Sequence, residues 1–162
     1  MLMNRGSTLF LKIVILLISF GALAGLVWFP QTEGRATNLD LISIYKDPFI
    51  IYIYIASIPF FVALYQAFKL LGYIDKNKVF SQVSVKAVRN IKYCATAIVA
   101  FIMAAEAYLF VVQRGKSDDI AGGVMMGLFI IFVSVVIATA AAVFQKLLQN
   151  AVDIKSENDL TV

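Results

Sequence analysis

Four long apolar stretches limit what this chain can fold into more than any other feature of its sequence. They cover about residues 8–29, 48–71, 91–112 and 120–148, and more polar segments separate them. A helix rises about 1.5 Å per residue, so each stretch is long enough to cross a hydrocarbon core about 30 Å thick. A helix also satisfies its own backbone hydrogen bonds, as lipid requires. The sequence therefore predicts an all-α integral membrane bundle of four transmembrane helices, with residues 1–162 as a single domain.

Composition supports a membrane protein and argues against an enzyme. Apolar residues make up 61% of the chain and charged residues 15%, with a mean hydropathy of +0.87, whereas soluble domains are about 45–50% apolar and about 25% charged. Histidine is absent and Cys94 is the single cysteine, which removes the commonest general base and the usual zinc ligands. Phosphate-loop, C-x-x-C and H-E-x-x-H motifs are also lacking. We therefore expect no enzymatic activity, no cofactor and no metal site.

Three prolines and one aspartate mark the ends and the middle of the predicted helices. Pro30 closes the first stretch. Asp47 is suited to cap the second helix, and Pro48 to occupy its first position, where a missing N–H costs nothing. Pro59 lies in mid-span and predicts a kink, because it removes one backbone hydrogen bond. The kink is either a static bend or a hinge, and the sequence leaves both interpretations open.

The segments around the last two stretches are amphipathic or polar. From the loop of residues 72–90 onwards, apolar residues occupy positions 80, 83, 87, 88 and 91, and cations occupy positions 86, 89 and 92. This spacing predicts a short amphipathic cytoplasmic helix that leads into the membrane. Residues 149–162 are polar, and we expect them to form a cytoplasmic tail at a frayed helix end.

The distribution of lysine and arginine predicts which helix ends face the cytoplasm, because cytoplasmic loops carry an excess of these residues. With the N-terminus inside, ten cations lie on the inner side: Arg5, Lys12, Lys69, Lys76, Lys78, Lys86, Arg89, Lys92, Lys146 and Lys155. Four lie on the outer side: Arg35, Lys46, Arg114 and Lys116. We therefore expect a multi-pass protein with both termini in the cytoplasm.

Glu106 is the one acidic residue inside a predicted span. A charged carboxylate is costly in hydrocarbon, so an ionisable group at this depth is a candidate functional site. Tyr52 and Tyr54 lie at similar depth in the second stretch, where their hydroxyls are candidates to hydrogen-bond the carboxyl group. The functional interpretation of this intramembrane polar site is proton coupling or cation binding. The structural interpretation is a satisfied interhelical hydrogen bond, or a side chain that reaches the lipid headgroups.

Two G-x-x-x-G motifs predict close helix packing. Gly21 and Gly25 form one in the first stretch, and Gly123 and Gly127 form the other in the fourth. Small residues allow helix backbones to approach closely in lipid. We expect these glycines to pack the first helix against the fourth, although the same motif serves equally for contact with a second copy in a homo-oligomer.

A basic cluster predicts an interaction surface on the cytoplasmic side. Its members are Lys76, Lys78, Lys86, Arg89 and Lys92. Anionic membrane lipids attract such a cluster, and so does an acidic surface of a protein partner. The cations flank apolar stretches and form no long basic tract, so we expect no direct binding of nucleic acid.

Several segments give the chain a family resemblance. Residues 58–71 (IPFFVALYQAFKLL), 75–81 (DKNKVFS), 84–86 (SVK) and 155–162 (KSENDLTV) resemble the YoaS-like family, a domain of unknown function in four-pass membrane proteins of Gram-positive bacteria. The resemblance implies the same fold class and a bacterial plasma-membrane location, with no established activity, substrate or cofactor. Family members are often encoded beside a small helix-turn-helix transcription regulator, which implies a regulatory partner.

Two functional interpretations follow from these patterns. The first is a membrane-embedded sensor or regulatory protein that binds a cytoplasmic partner, such as a helix-turn-helix transcription regulator. The alternative is a small transporter or immunity-type protein that acts on a peptide or a cationic compound. A transporter needs a polar path, yet apart from Glu106 the polar residues in mid-span are few: Ser19, Ser57, Thr96, Ser134 and Thr139.

Overall fold

The structure, a computed structural model, describes residues 5–32, 45–112 and 121–160. It contains four long helices in these ranges: α1 (Arg5–Thr32), α2 (Pro48–Asp75), α3 (Gln82–Val112) and α4 (Ala121–Leu160). All four are long and apolar enough to cross a membrane. The prediction of an all-helical chain with four candidate membrane spans is therefore confirmed.

Each helix packs mainly on the next one along the chain. The extensive contacts join α1 to α2, α2 to α3 and α3 to α4, and the described parts of α1 and α4 share no comparable contact. Lys12 near the start of α1 forms an ion pair with Asp75 at the end of α2. Near the start of α3, Lys92 Nζ donates to Gln145 Oε1 of α4 at 3.0 Å. The beginnings of α1 and α3 therefore lie with the ends of α2 and α4, at what we call the α2–α3 end.

α2 and α3 both extend into the segment that was predicted to be a loop, residues 72–90. The structure shows no amphipathic helix distinct from the spans among the described residues, because α2 continues to Asp75 and residues 82–90 form the first turns of α3. Asn77, two residues after the end of α2, has a left-handed backbone (φ 54°). Its N–H donates to Ile74 O at 3.0 Å and the Lys78 N–H donates to Tyr73 O at 2.8 Å. This double hydrogen bond is a Schellman motif, which satisfies the last carbonyls of α2 and turns the chain sharply.

The last helix is longer than the sequence indicated. α4 continues past residue 148, where the predicted span ended, and is helical throughout its 40 residues to Leu160, about 60 Å. Residues 161–162 lie outside the described ranges. Three buried residues, Gly127, Ser134 and Ala141, follow one another at intervals of seven along α4. Such small residues allow α4 to pack closely along α3.

α1 begins and ends outside its predicted apolar stretch, whereas α2 begins where it was predicted to begin. α1 starts at Arg5 and continues two residues beyond Pro30. At the start of α2 the prediction is confirmed: Asp47 Oδ1 accepts from the Phe49 N–H at 2.8 Å, and Pro48 is the first helical residue. The capping aspartate and the proline therefore fix where α2 begins.

Candidate functional site

Lysines stacked on aromatic rings mark one level at the α2–α3 end. The lysine nitrogens lie 4.7–5.8 Å from the ring centroids in three pairs: Lys12 with Phe68, Lys69 with Tyr65, and Lys92 with Tyr93. Lysine and tyrosine favour the boundary between hydrocarbon and headgroups, because each has an apolar body and a polar tip. Such pairs are typical of the edge of the hydrocarbon core.

Three helices continue beyond this level and form what we call the cap, residues 70–91 and 147–160. α2 extends about 9 Å past Lys69, α3 begins about 15 Å before Lys92, and α4 extends about 21 Å past Lys146. The cap has a core of its own, with these buried residues: Leu71, Ser84, Val85, Ala87 and Val88. These buried side chains pack the ends of the helices together in the cap.

Hydrogen bonds fix the turn between α2 and α3 at the tip of the cap. The Ser81 hydroxyl donates to Lys78 O at 2.6 Å, and the Ser84 hydroxyl donates to the same carbonyl at 3.0 Å. Ser84 is fully buried. Because both serines bond the carbonyl of Lys78, the basic side chains beside it are carried on an ordered turn.

The surface of the cap carries cations around the turn and on α3, and carboxylates beside Lys155 at the end of α4. Four of the five predicted cations are exposed: Lys76, Lys78, Lys86 and Arg89. Lys92 is half-buried, and its ammonium group donates to Gln145 Oε1. The end of α4 exposes the carboxylates of Asp153 and Glu157. An apolar side chain, Ile154, lies between them and is 60% exposed.

Glu106 lies against α4 in the half of α3 remote from the cap. A Cβ built on Gly127 would collide with the Glu106 carboxyl group, so only glycine leaves room for it. Glu106 Oε2 is buried and has no hydrogen-bond partner among the described residues. The carboxyl group therefore occupies a space created by a glycine on the neighbouring helix.

The predicted contact of Tyr52 and Tyr54 with Glu106 is wrong. The Tyr52 hydroxyl donates to Phe101 O of α3 at 2.6 Å, and the Tyr54 hydroxyl donates to Leu26 O of α1 at 2.9 Å. Residues two apart on a helix point about 200° apart, so the two tyrosines face different neighbours. Each hydroxyl ties α2 to a backbone carbonyl of an adjacent helix.

The bond from Tyr54 has a specific cause in α1. Pro30 lies inside α1 and has no N–H, so it cannot bond the carbonyl four residues earlier, which belongs to Leu26. The Tyr54 hydroxyl supplies the missing donor. Sequence reasoning noted both residues and missed the link, although the spacing of Pro30 from Leu26 is a usable signal.

The predicted packing of α1 on α4 through four glycines is wrong within the chain. A Cβ at Gly21, Gly25 or Gly123 would meet no atom within 4 Å among the described residues. Gly127 does make a close contact, but with Glu106 of α3. The glycines of α1 and α4 do not meet because the extensive contacts of α4 are with α3. Contact of the α1 glycines with a second copy stays a prediction.

A second cluster that sequence reasoning missed joins α1 to α2. Asp75 accepts from the Thr8 hydroxyl and pairs with Lys12. Thr8 is buried, while the side chains of Lys12 and Asp75 are partly exposed. The sequence did contain a signal for this contact: Asp75 follows the second apolar stretch, and Lys12 lies near the start of the first. This cluster holds the start of α1 to the cap.

The hydroxyls in mid-span bond their own helices. Ser19 donates to Ile15 O, Ser57 to Tyr54 O, Thr96 to Lys92 O and Thr139 to Val135 O, at 2.7–3.0 Å. A cavity of about 520 Å³ lies between α2, α3 and α4, and Ser134 is the one polar side chain that the described residues contribute to its lining. The described interior thus offers no continuous polar path.

Comparison with known proteins gives the family. Residues 30–162 match the family described as "Protein of unknown function (DUF2975)". The chain is 51% identical over 162 residues to the "Uncharacterized membrane protein YoaS" of Bacillus subtilis (strain 168), and the match covers 99% of this chain and all of the relative. No solved structure matches. With four candidate spans and these similarities, the chain is a membrane protein that belongs to the DUF2975 family.

Proposed function

We propose that this protein is a membrane-embedded regulatory protein whose cap binds a soluble protein in the cytoplasm. The observation that carries the proposal is the core of the cap, where Leu71, Val85 and Val88 are buried beyond the level of the lysine–aromatic pairs. A packed structure on the water side of the membrane presents fixed side chains to a partner. Such pre-organisation lowers the entropic cost of binding.

The cytoplasmic placement of the cap is supported by its charge. All ten cations assigned to the inner side by sequence lie in the helices near the α2–α3 end or belong to the cap. Of the four assigned to the other side, Lys46 is described, while Arg35, Arg114 and Lys116 lie outside the described ranges. An excess of lysine and arginine favours the cytoplasmic face of the bacterial plasma membrane.

The end of α4 is the surface that fits a basic partner. Asp153, Ile154 and Glu157 are all exposed on the cap, and they combine an apolar contact with carboxylates. A DNA-binding regulator carries the opposite charge, as it must to bind phosphates. A small helix-turn-helix transcription regulator is therefore the class of partner that we propose. Through such a partner the membrane protein affects gene regulation without binding nucleic acid itself.

Co-purification of soluble proteins with the full-length chain tests this proposal. In a native host we expect the unaltered protein to retain a basic soluble protein, and the combined variant Ile154→Ser, Glu157→Lys to lose it. Lys46→Glu, an exposed change at the opposite end of α2, is the matched control and should retain the partner. If no soluble protein is recovered, or if the α4 variant retains it fully, the proposal is wrong.

Glu106 supports one alternative, a small transporter or immunity-type protein for a cationic compound. Its buried and unpartnered Oε2 is the observation in favour, because an intramembrane carboxyl group often serves transport. Glu106→Gln keeps the shape of the side chain and removes its charge. Loss of uptake of, or resistance to, a cationic compound in this variant would favour transport, whereas a regulator should keep its partner.

A further inference from the structure

One face of α3 carries two cations and a tyrosine in line. Lys86, Arg89 and Tyr93 are spaced three and four residues apart, so they lie on the same side of the helix. All three are exposed, and Tyr93 is 60% exposed. The buried residues Ser84 and Val88 point away from this face. We call it the α3 basic face.

The depth of the α3 basic face follows from the level of the lysine–aromatic pairs. Tyr93 contacts Lys92 at that level. Arg89 lies about 6 Å beyond it along the helix and Lys86 about 10 Å beyond it. The headgroup layer is about 5–7 Å thick on each side of the hydrocarbon core. Arg89 is therefore at the depth of the lipid phosphates, and Lys86 lies just outside the headgroup layer, where its long side chain reaches the phosphates.

We propose that the α3 basic face binds the headgroups of anionic phospholipids in the leaflet next to the cap. The guanidinium of Arg89 has the planar fork that fits two phosphate oxygens, and the Lys86 ammonium adds a second positive charge. The Tyr93 ring packs on the glycerol and upper acyl chains, as interfacial aromatics do. α3 has no acidic residue before Glu106, so no carboxylate of this helix repels the phosphate.

Arg89 and Tyr93 lie deeper than the surface proposed for a protein partner. Asp153, Ile154 and Glu157 lie about 10–16 Å past Lys146 along α4, mostly outside the headgroup layer. A soluble protein reaches them freely, whereas lipid already fills the level of Arg89 and Tyr93. The lipid proposal depends on the membrane placement alone, and it stands whether or not a soluble partner exists.

A tryptophan placed at position 93 reports lipid binding. The full-length chain with Trp28→Phe and Tyr93→Trp has one tryptophan, because Trp28 is the single one in the sequence. In phosphatidylcholine bilayers, brominated phosphatidylglycerol should quench it more strongly than brominated phosphatidylcholine does. Surface cations contribute about fivefold each to anionic lipid affinity. Lys86→Gln with Arg89→Gln should therefore weaken the preference by roughly 30-fold.

Three controls make the result decisive. Lys155→Gln removes an exposed cation of the cap beyond the headgroup layer and should leave the preference unchanged. Glycerol 3-phosphate at equal concentration should not relieve quenching, and relief would show a site for free phosphate. Native mass spectrometry of the protein with Tyr93 intact should show phosphatidylglycerol retained and lost with the double change. An unchanged preference in the double variant, or an equal loss with Lys155→Gln, would overturn the proposal.

Discussion

The Glu106 carboxyl group of α3 fits against Gly127 of α4. A single methyl group added at Gly127 should therefore change the stability of the protein substantially. Gly127→Ala places a Cβ where the carboxyl group lies, and overpacking of this kind costs about 1–3 kcal/mol. We expect Gly127→Ala to lower the free energy of unfolding by that amount. Reversible denaturation in mixed micelles followed by circular dichroism measures it.

Two further variants separate this collision from general effects of alanine in a helix. Gly123→Ala adds the same methyl group one turn away, where no atom of the described residues lies within 4 Å of it, and it should be neutral or stabilising because alanine favours the helix. Glu106→Ala in the Gly127→Ala background should recover about 0.5–3 kcal/mol as a coupling energy. Equal costs for the two alanine variants would contradict the pairing.

Tyr54 and Pro30 predict a second coupling at the scale of single residues. Tyr54→Phe removes the donor to Leu26 O and leaves a carbonyl without its hydrogen bond, which costs about 0.6–1.7 kcal/mol in a membrane protein. Pro30→Ala in the same background restores an N–H for that carbonyl, so the second change should offset part of the cost. Tyr108→Phe, at an exposed tyrosine, is the control. The prediction fails if the effects of Tyr54→Phe and Pro30→Ala are additive.

Among the elements, α4 depends on its small residues for contact with α3. Ala141 is 7% exposed, whereas its neighbour Ala140 is exposed. Ala141→Leu should separate the two helices and lower stability by about 1–3 kcal/mol, because the added side chain has no space. Ala140→Leu makes the same chemical change on the lipid side and should be close to neutral. Thermal unfolding in detergent compares the two, and equal loss of stability would contradict the assigned face.

At the scale of the whole molecule, the two ends of α2 provide a test of orientation. Lys46 precedes α2 and Lys78 follows it, and both side chains are exposed. With Cys94 replaced by alanine, Lys46→Cys should react with an impermeant thiol reagent in intact cells. Lys78→Cys should react only in inverted vesicles, because the cation excess places the α2–α3 end in the cytoplasm. The reverse pattern would overturn the orientation of every helix.

Four helices and their approximate positions could be predicted from the sequence alone. Transfer of an apolar stretch to lipid is a local property, so a count of residues identifies each span. Asp47 and Pro48 likewise predicted the start of α2, because capping depends on adjacent residues. The family resemblance on residues 58–86 and 155–162 was equally readable, and the comparison over the whole chain confirmed it.

Tertiary structure decided which residues meet. Helices that are apolar on all sides, such as α1 and α4, give no periodic signal for the face that packs, and neighbouring residues differ by about 100° in direction. The sequence therefore could not tell that Gly127 receives Glu106, or that Tyr52 and Tyr54 bond different helices. The cap could not be predicted either. Its helices continue through polar sequence, where tertiary packing buries residues such as Ser84 and Val88.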